Sequence, residues 1–146
     1  MGPIVCATRG GESSRRTQEQ AVALAQEREA ELVFLAVFDP CCAGDVGEPL
    51  AEAVEKEQRW LGRALLGAAQ VRARRQGIDA AAVVLCGPIL ETIEGYLLEV
   101  NASALVLGEP KVDSALAAFH PSRVSHFAEQ VRLDTEVEVI VVPPDD

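Results

Sequence analysis

Aromatic residues and positive charge are both scarce in this chain of 146 residues. Aromatics make up 4% of the sequence, with one tryptophan, which is too few for a surface that stacks nucleic-acid bases. Thirteen basic residues stand against twenty-three acidic ones, which gives a formal net charge of −10. An acidic surface repels phosphate backbones and anionic lipids, so we expect neither nucleic acid nor a membrane among the partners.

Long apolar runs and secretion signals are lacking as well. No apolar stretch approaches the ~20 residues that a membrane-spanning helix needs. The N-terminal residues do not have the charged, apolar and small-residue regions of a signal peptide, so we predict a cytoplasmic protein.

The four cysteines and two histidines do not form a metal-binding pattern. Cys6 and Cys86 lie in apolar runs and are interpreted as buried small hydrophobic residues. Cys41 and Cys42 are adjacent in a predicted loop, where a vicinal disulfide or a redox role stays open. The two histidines, at positions 120 and 126, are six residues apart, which is off the spacing that places two ligands on one helix face. We therefore predict no metal site and no catalytic residues.

The composition that remains is that of one globular domain. Hydrophobic residues make up 49% of the chain and charged residues 25%, which excludes a disordered segment. A chain of ~150 residues is a usual size for a single domain, so we expect one domain over residues 1–146.

The apolar pattern alternates between short runs and stretches with a 3.6-residue period, which predicts strands alternating with helices. The predicted strands are Pro3–Thr8, Glu31–Phe38, Ala80–Cys86, Ala104–Leu107 and Val137–Val142. The predicted helices run from Ser13 or Ser14 to about Glu29, from Leu50 to Gln76, from Ile89 to Val100, and somewhere between Asp113 and Leu133. Such alternation predicts an α/β fold, an open and mostly parallel five-stranded sheet with helices on both faces.

Individual helix residues carry further predictions. The inward stripe of the first helix is predicted to be Ala21, Leu24, Ala25 and Arg28. Gly77 is predicted to stop the second helix, and Trp60 and Tyr96 are interpreted as packing residues. The arginines at the end of the second helix are interpreted as a solvated helix end: Arg72, Arg74 and Arg75.

The stretch Ile4–Ser14, IVCATRGGESS, with Ala30–Val37, Gly87, Ala102–Gly108 and the closing residues 127–143, resembles the universal stress protein family. The resemblance covers nearly the whole chain. It implies a Rossmann-like fold, similar to that of the adenine nucleotide alpha hydrolases, with strand order 3-2-1-4-5. Ligands of such sheets bind beyond the carboxyl ends of the strands, where the strand order reverses.

Members of that family that bind ATP carry Gly-x2-Gly-x9-Gly-Ser/Thr after the fourth strand and an acidic residue after the first. Counted from Gly108, this chain has Lys111 and Pro121 in place of the second and third glycines, followed by Ser122. A second alignment, which stays open, places Ser125-His126 at the Gly-Ser/Thr position. Arg9 stands where the acidic residue is expected, and Pro121 has no N–H to offer a phosphate.

The resemblance therefore implies a degenerate nucleotide or anion cleft. Its candidate residues are Arg9, Gly10, Val37, Gly108, Lys111 and Ser122, of which Val37 would contact adenine only through its backbone. Two outcomes stay open. The two cations fill the cleft and no cofactor binds, or they form an anion pocket that accepts the phosphate of a mononucleotide such as AMP or ATP.

Three functions follow in order of preference. The first is a non-enzymatic, stress-related regulatory protein that lacks tight ATP binding and acts through homodimerisation and an unknown protein partner. The second is a sensor of AMP, ATP or another phosphate-containing anion, and the third is a small nucleotide-processing enzyme. The homodimer is predicted to form through the last strand, Val137–Val142, because an apolar edge strand needs a cover.

Overall fold

Strands and helices alternate along the chain in the computed structural model, which describes residues 2–8, 15–38, 48–108 and 121–143. The strands are β1 (Ile4–Ala7), β2 (Leu32–Phe38), β3 (Ala81–Cys86), β4 (Ala104–Gly108) and β5 (Glu138–Val142). The helices are α1 (Arg15–Arg28), α2 (Glu48–Arg75), α3 (Ile89–Glu99) and α4 (Pro121–Thr135). The predicted elements are thus confirmed, with ends that differ by a few residues, and the fourth helix ends at Thr135, two residues beyond the predicted interval.

The five strands form one sheet in the order β3-β2-β1-β4-β5, and every neighbouring pair is parallel. The order expected from the family resemblance is therefore confirmed. From β1, the strands β2 and β3 extend the sheet to one edge, and the strands β4 and β5 extend it to the other edge. The point at which the order reverses lies between β1 and β4, and it is the usual ligand position of such sheets.

Helices cover both faces of the sheet, and each face has its own hydrophobic core. One core joins α1 and α2 to side chains such as Phe34, and the other joins α3 and α4 to side chains such as Leu35. Neighbouring residues of β2 thus point into different cores, and Leu32–Ala36 are all buried. The unbroken apolar run of this strand follows from burial on both sides, as predicted.

Two glycines end elements with backbone angles that other residues rarely adopt. Gly77 follows α2 with φ +84°, which confirms its predicted role as the helix stop. Gly87 follows β3 with φ +147°, and a Cβ there would lie 2.6 Å from Thr92 Oγ1. Its N–H donates to Phe38 O at 2.9 Å, which fixes the turn into α3.

The predictions for single helix and strand residues are partly wrong. Trp60 does not pack inside, since 69% of it is exposed, whereas Tyr96 packs against the α3–α4 core as predicted. Cys6 is fully buried, and burial raises the pKa of its thiol to about 12. Cys86 is only half-buried because the edge strand β3 leaves one side open.

Arg28 also departs from its predicted place on the inward stripe of α1. Its guanidinium Nη1 instead donates to Glu138 Oε2 at 2.8 Å, which ties the end of α1 to the start of β5. Two residues of the stripe, Ala21 and Ala25, are buried as predicted. The predicted helix caps Ser13 and Ser14, the pair Cys41–Cys42 and His120 lie outside the described residues.

No helix of the described residues is both long enough and apolar enough to cross a bilayer. Within the same residues, no group of three His, Cys, Asp or Glu side chains is placed to hold a metal ion.

Candidate functional site

The candidate site lies at the carboxyl ends of β1 and β4, where the strand order reverses. Of the predicted site residues, Val37 and Gly108 lie at this edge of the sheet, at the ends of β2 and β4. The helix α4, which contains Ser122, follows β4. The other three predicted residues, Arg9, Gly10 and Lys111, are outside the described residues.

The polar backbone groups of Val37 face the side of β2 on which β1 lies. Leu35 O accepts a hydrogen bond from Thr8 N at 2.9 Å, so Leu35 and Val37 turn their backbone polar groups toward β1. Phe38 turns the other way, since its carbonyl accepts from Gly87 N. β1 pairs with β2 only as far as Leu35. The N–H and C=O of Val37 therefore face the ligand position, with no ladder partner in the described part of β1.

Gly108 ends β4 beneath the first turns of α1. A Cβ on Gly108 would overlap Thr17 Oγ1 and lie 3.4 Å from Thr17 Cβ. Thr17 is polar but only 4% exposed, whereas Gly108 itself is exposed, so the contact covers one side of the glycine. The packing of α1 on β4 thus requires a glycine whether or not a phosphate binds, and the one surviving glycine of the motif does not by itself indicate a phosphate site.

A buried polar network fixes the start of α1 to the end of β1. Gln18 Nε2 donates to Thr8 Oγ1 at 3.0 Å, and both residues are buried. The guanidinium of Arg72 in turn donates to Gln18 Oε1. Arg72 therefore does not belong to a solvated helix end, whereas Arg74 does, with 71% of its side chain exposed. The sequence reasoning missed Gln18 and Thr17 because their partners are distant along the chain.

α4 begins at Pro121, where the family motif has its third glycine. Proline suits the first helical position, since an N–H there has no partner within the helix. Ser122 lies in the first turn of the helix, and Ser125 and His126 lie in the second. Of the two alignments, only the one through Pro121-Ser122 places the Gly-Ser/Thr position of the family motif at the helix N-terminus. The N–H groups there have no partner within the helix.

Two arginines at the start of α1 add positive charge to this edge of the sheet. Arg15 and Arg16 occupy the first turn of α1, which holds no acidic residue. Arg15 is exposed and Arg16 is half-buried. The helix dipole favours anions at a helix N-terminus and disfavours cations there. Cations at this position therefore stabilise the protein mainly when they neutralise a bound anion. The sequence reasoning named Arg9 and Lys111 as the site's cations but not these two.

A groove of about 430 Å³ lies between α1 and α2, and it is separate from the strand ends. Its floor includes Phe34, Ala69 and Ala73, and its rim includes Arg15 and Arg75. The floor residues lie over the middle of β2, so the groove is not the ligand position expected for the sheet.

Comparison with known proteins agrees with this architecture. The family model described as the Universal stress protein family matches residues 1–143. No curated protein matches the chain.

Solved structures with the same fold include three universal stress proteins. One, UspA from Lactobacillus plantarum, has a TM-score of 0.76 and 18% identity, covering 96% of this chain and 97% of its own. A protein from Archaeoglobus fulgidus in complex with dAMP has a TM-score of 0.63 and 22% identity, covering 97% of each chain. A universal stress protein in complex with cAMP has a TM-score of 0.69 and 22% identity, covering 97% of this chain and 96% of its own. At these identities the likeness shows the fold alone.

Proposed function

Because the chain belongs to the universal stress protein family, we propose that it is a non-enzymatic, cytoplasmic regulatory protein that does not bind ATP tightly. One observation carries the proposal. Where the family's ATP binders have an acidic residue and two glycines, this chain has Arg9, Lys111 and Pro121. The reversed charge removes the ribose partner. The side chains that replace the two glycines prevent the backbone N–H groups at these positions from coming close to the phosphates.

The geometry of α4 supports the loss of a phosphate contact. Pro121 occupies the first position of the helix, so the helix end presents one fewer N–H than a glycine there would allow. The remaining glycine, Gly108, has a packing role against Thr17. A triphosphate would therefore meet fewer donors than the motif normally provides.

A second function, binding of an adenine mononucleotide, is favoured by a different observation. The N–H and C=O of Val37 lie side by side and unpaired within the described sheet, and adenine offers an acceptor nitrogen beside a donor amino group. Arg16 lies in the first turn of α1 at the same edge, where a single phosphate needs few donors, whereas Arg15 lines the groove between α1 and α2. Two proteins of this fold are complexes with cAMP and with dAMP, both of which are monophosphates.

The proposed regulatory role includes a homodimer through β5. This strand is at the edge of the sheet, so the backbone groups on its outer side have no strand partner within the sheet. Its valines already pack inside, since Val139 is 4% and Val142 is 5% exposed. Pairing with a second copy would therefore satisfy the open backbone edge rather than hide the valines.

A thermal-shift series with ATP and magnesium, AMP, cAMP and inorganic phosphate tests the proposal. For the regulatory role without tight ATP binding, we expect no stabilisation by ATP and magnesium at a concentration of about 100 μM. A site with a Kd of about 1 μM would raise the free energy of unfolding by roughly 2.7 kcal/mol at that concentration. Stabilisation by AMP and cAMP, with none by phosphate alone, would establish the second function. A shift with ATP and magnesium as large as that expected of a site with a Kd of about 1 μM would contradict the first function, whereas no shift with any of the four ligands would contradict the second.

A further inference from the structure

The outer face of α2 exposes more large apolar surface than any other helix of the described residues. Seven large apolar side chains are exposed in this part of the chain, and four of them belong to α2: Leu50 at 56%, Trp60 at 69%, Leu61 at 49% and Val71 at 48%. The outer face of a helix in a monomer is normally polar. Exposed tryptophan is also the residue type most enriched among interface residues that dominate binding energy.

A regular row of exposed residues runs along this face, and we call it the α2 seam. It consists of Glu57, Leu61, Ala64, Ala68, Val71 and Arg75, all of which are exposed. Their spacing alternates between four and three residues, which is the spacing of the contact positions in a pair of packed helices. The seam is about 27 Å long at 1.5 Å per residue. It lies opposite the buried side of α2, which includes Leu66, Ala69 and Ala73.

The two ends of the α2 seam carry opposite charges. Glu57 stands at the N-terminal end and Arg75 at the C-terminal end, with four small or apolar residues between them. The whole helix follows the same division. Its four glutamates all fall within residues 48–57, whereas residues 60–75 contain four arginines and no acidic residue. A parallel copy of α2 would align like charges, and an antiparallel copy aligns opposite ones.

We propose that the α2 seam pairs with the same seam of a second copy of this chain, in antiparallel orientation. A two-fold axis midway between Ala64 and Ala68 places Leu61 opposite Val71 of the second copy. The same axis places Glu57 opposite Arg75 of the second copy, twice by symmetry. The two alanines face each other across the axis, and their small side chains let the helices approach closely.

Trp60 lies beside the α2 seam and is covered when the second helix docks. The helix packs on β3 and β2, at the edge of the sheet opposite β5. The α2 pairing therefore does not compete with pairing through β5, and it does not depend on whether the strand-end cleft binds a nucleotide.

The single tryptophan of the chain makes the pairing directly measurable, since Trp60 is the only indole that reports. Emission and acrylamide quenching are recorded between about 1 μM and about 1 mM protein, a range that includes weak association. We expect the emission to shift to the blue with concentration and the quenching constant to fall about two-fold, because the docked helix removes Trp60 from water. If the emission and quenching do not change with protein concentration, the proposal is overturned, whether Trp60 is exposed throughout or is already covered within a single chain.

Two variants locate the contact on the α2 seam. Ala68→Glu places a carboxylate at the centre of the seam and should abolish the concentration dependence. Its matched control is Ala51→Glu, since Ala51 is also an exposed alanine of α2 but lies off the α2 seam. This variant should keep the concentration dependence of the Trp60 emission. Ile140→Lys, on β5, should also keep it. Loss of the signal in Ala51→Glu or Ile140→Lys, with unchanged helix content, contradicts the assignment to the seam.

A charge-reversal pair tests the antiparallel orientation. Glu57→Arg alone and Arg75→Glu alone each place like charges opposite each other, so both should weaken the concentration dependence. The double variant, Glu57→Arg with Arg75→Glu, again places opposite charges at both ends. It should therefore recover the concentration dependence of the Trp60 emission. Failure of the double variant to recover, while circular dichroism shows a folded protein, overturns the antiparallel arrangement.

Discussion

The hydroxyl of Thr17 occupies the space that a side chain on Gly108 would need, so the start of α1 packs directly on the end of β4. Gly108→Ala should therefore destabilise the protein by about 1–3 kcal/mol through overpacking, even without any ligand. Thr17→Ala vacates that space, so the double variant should lose less stability than the two single losses together. Urea unfolding measures all four proteins. Additive losses would show that the two residues do not touch.

The charge at the cleft separates its two possible states. If the cations form an anion pocket, Arg9→Asp should abolish any thermal stabilisation by AMP or phosphate. If instead they fill the cleft, Arg9→Asp combined with Lys111→Gly should open it and restore some ATP binding. The matched control is Arg63→Asp, which reverses the charge of an exposed arginine on α2. Unchanged ligand responses in both cleft variants would mean that neither residue faces the cleft.

Pairing through β5 is best tested at Ile140. Val139 is 4% exposed, so a charge there would damage the core, whereas Ile140 is half-buried and belongs to neither core cluster. The background is Ala68→Glu, in which the α2 contact is broken. In it we expect a mass of about twice the 15.6 kDa chain at tens of micromolar.

Adding Ile140→Lys to that background should give the mass of a single chain by light scattering. Circular dichroism should show the same helix content in both proteins. A single-chain mass already in the Ala68→Glu protein would exclude the β5 dimer.

A carboxyl pair between α3 and α4 makes stability depend on pH. Burial raises the pKa of Glu94 to about 7, assisted by a hydrogen bond to Asp134 and by the negative charges of Asp134 and Glu91. The unfolded chain releases this proton near pH 4.5, so Glu94 costs stability as the pH rises from about 4.5 to 7. Asp134 acts in the opposite direction, because hydrogen bonds from Gln130 and Glu94 lower its pKa, and its contribution is lost only in acid.

Glu94→Gln should therefore stabilise the protein at pH 8 and leave it nearly unchanged at pH 5. Partial exposure screens the effect, so we expect roughly 1 kcal/mol, or a few degrees in Tm. Thermal melts at the two pH values measure it, with Glu99→Gln, an exposed glutamate of α3, as the control. Equal changes at both pH values would show that Glu94 titrates normally.

The elements and their order could be predicted from the sequence because their signals are local. The apolar run of β2 and the glycine at position 77 each specify a conformation with few neighbours involved. The strand order came from the family resemblance, since pairing partners are distant along the chain.

Side-chain positions that depend on distant partners could not be predicted. Arg28 fits the inward period of α1 but pairs with Glu138, 110 residues away. Trp60 falls within the helical pattern of α2 but is exposed, because this helix carries apolar residues on both its faces and periodicity does not say which face meets the sheet. Val37 has no ladder partner in the described part of β1 because the pairing ends at Leu35, and no residue of β2 determines where β1 ends.

The most direct test of the account is calorimetric titration of the protein with ATP and magnesium. Arg9, Lys111 and Pro121 replace the ribose partner and two phosphate-contacting glycines, so we expect a Kd above about 10 μM, weaker than roughly −7 kcal/mol. A titration with AMP under the same conditions shows whether the cleft accepts a monophosphate. A Kd for ATP well below 10 μM would contradict the claim that these three residues have removed the triphosphate site.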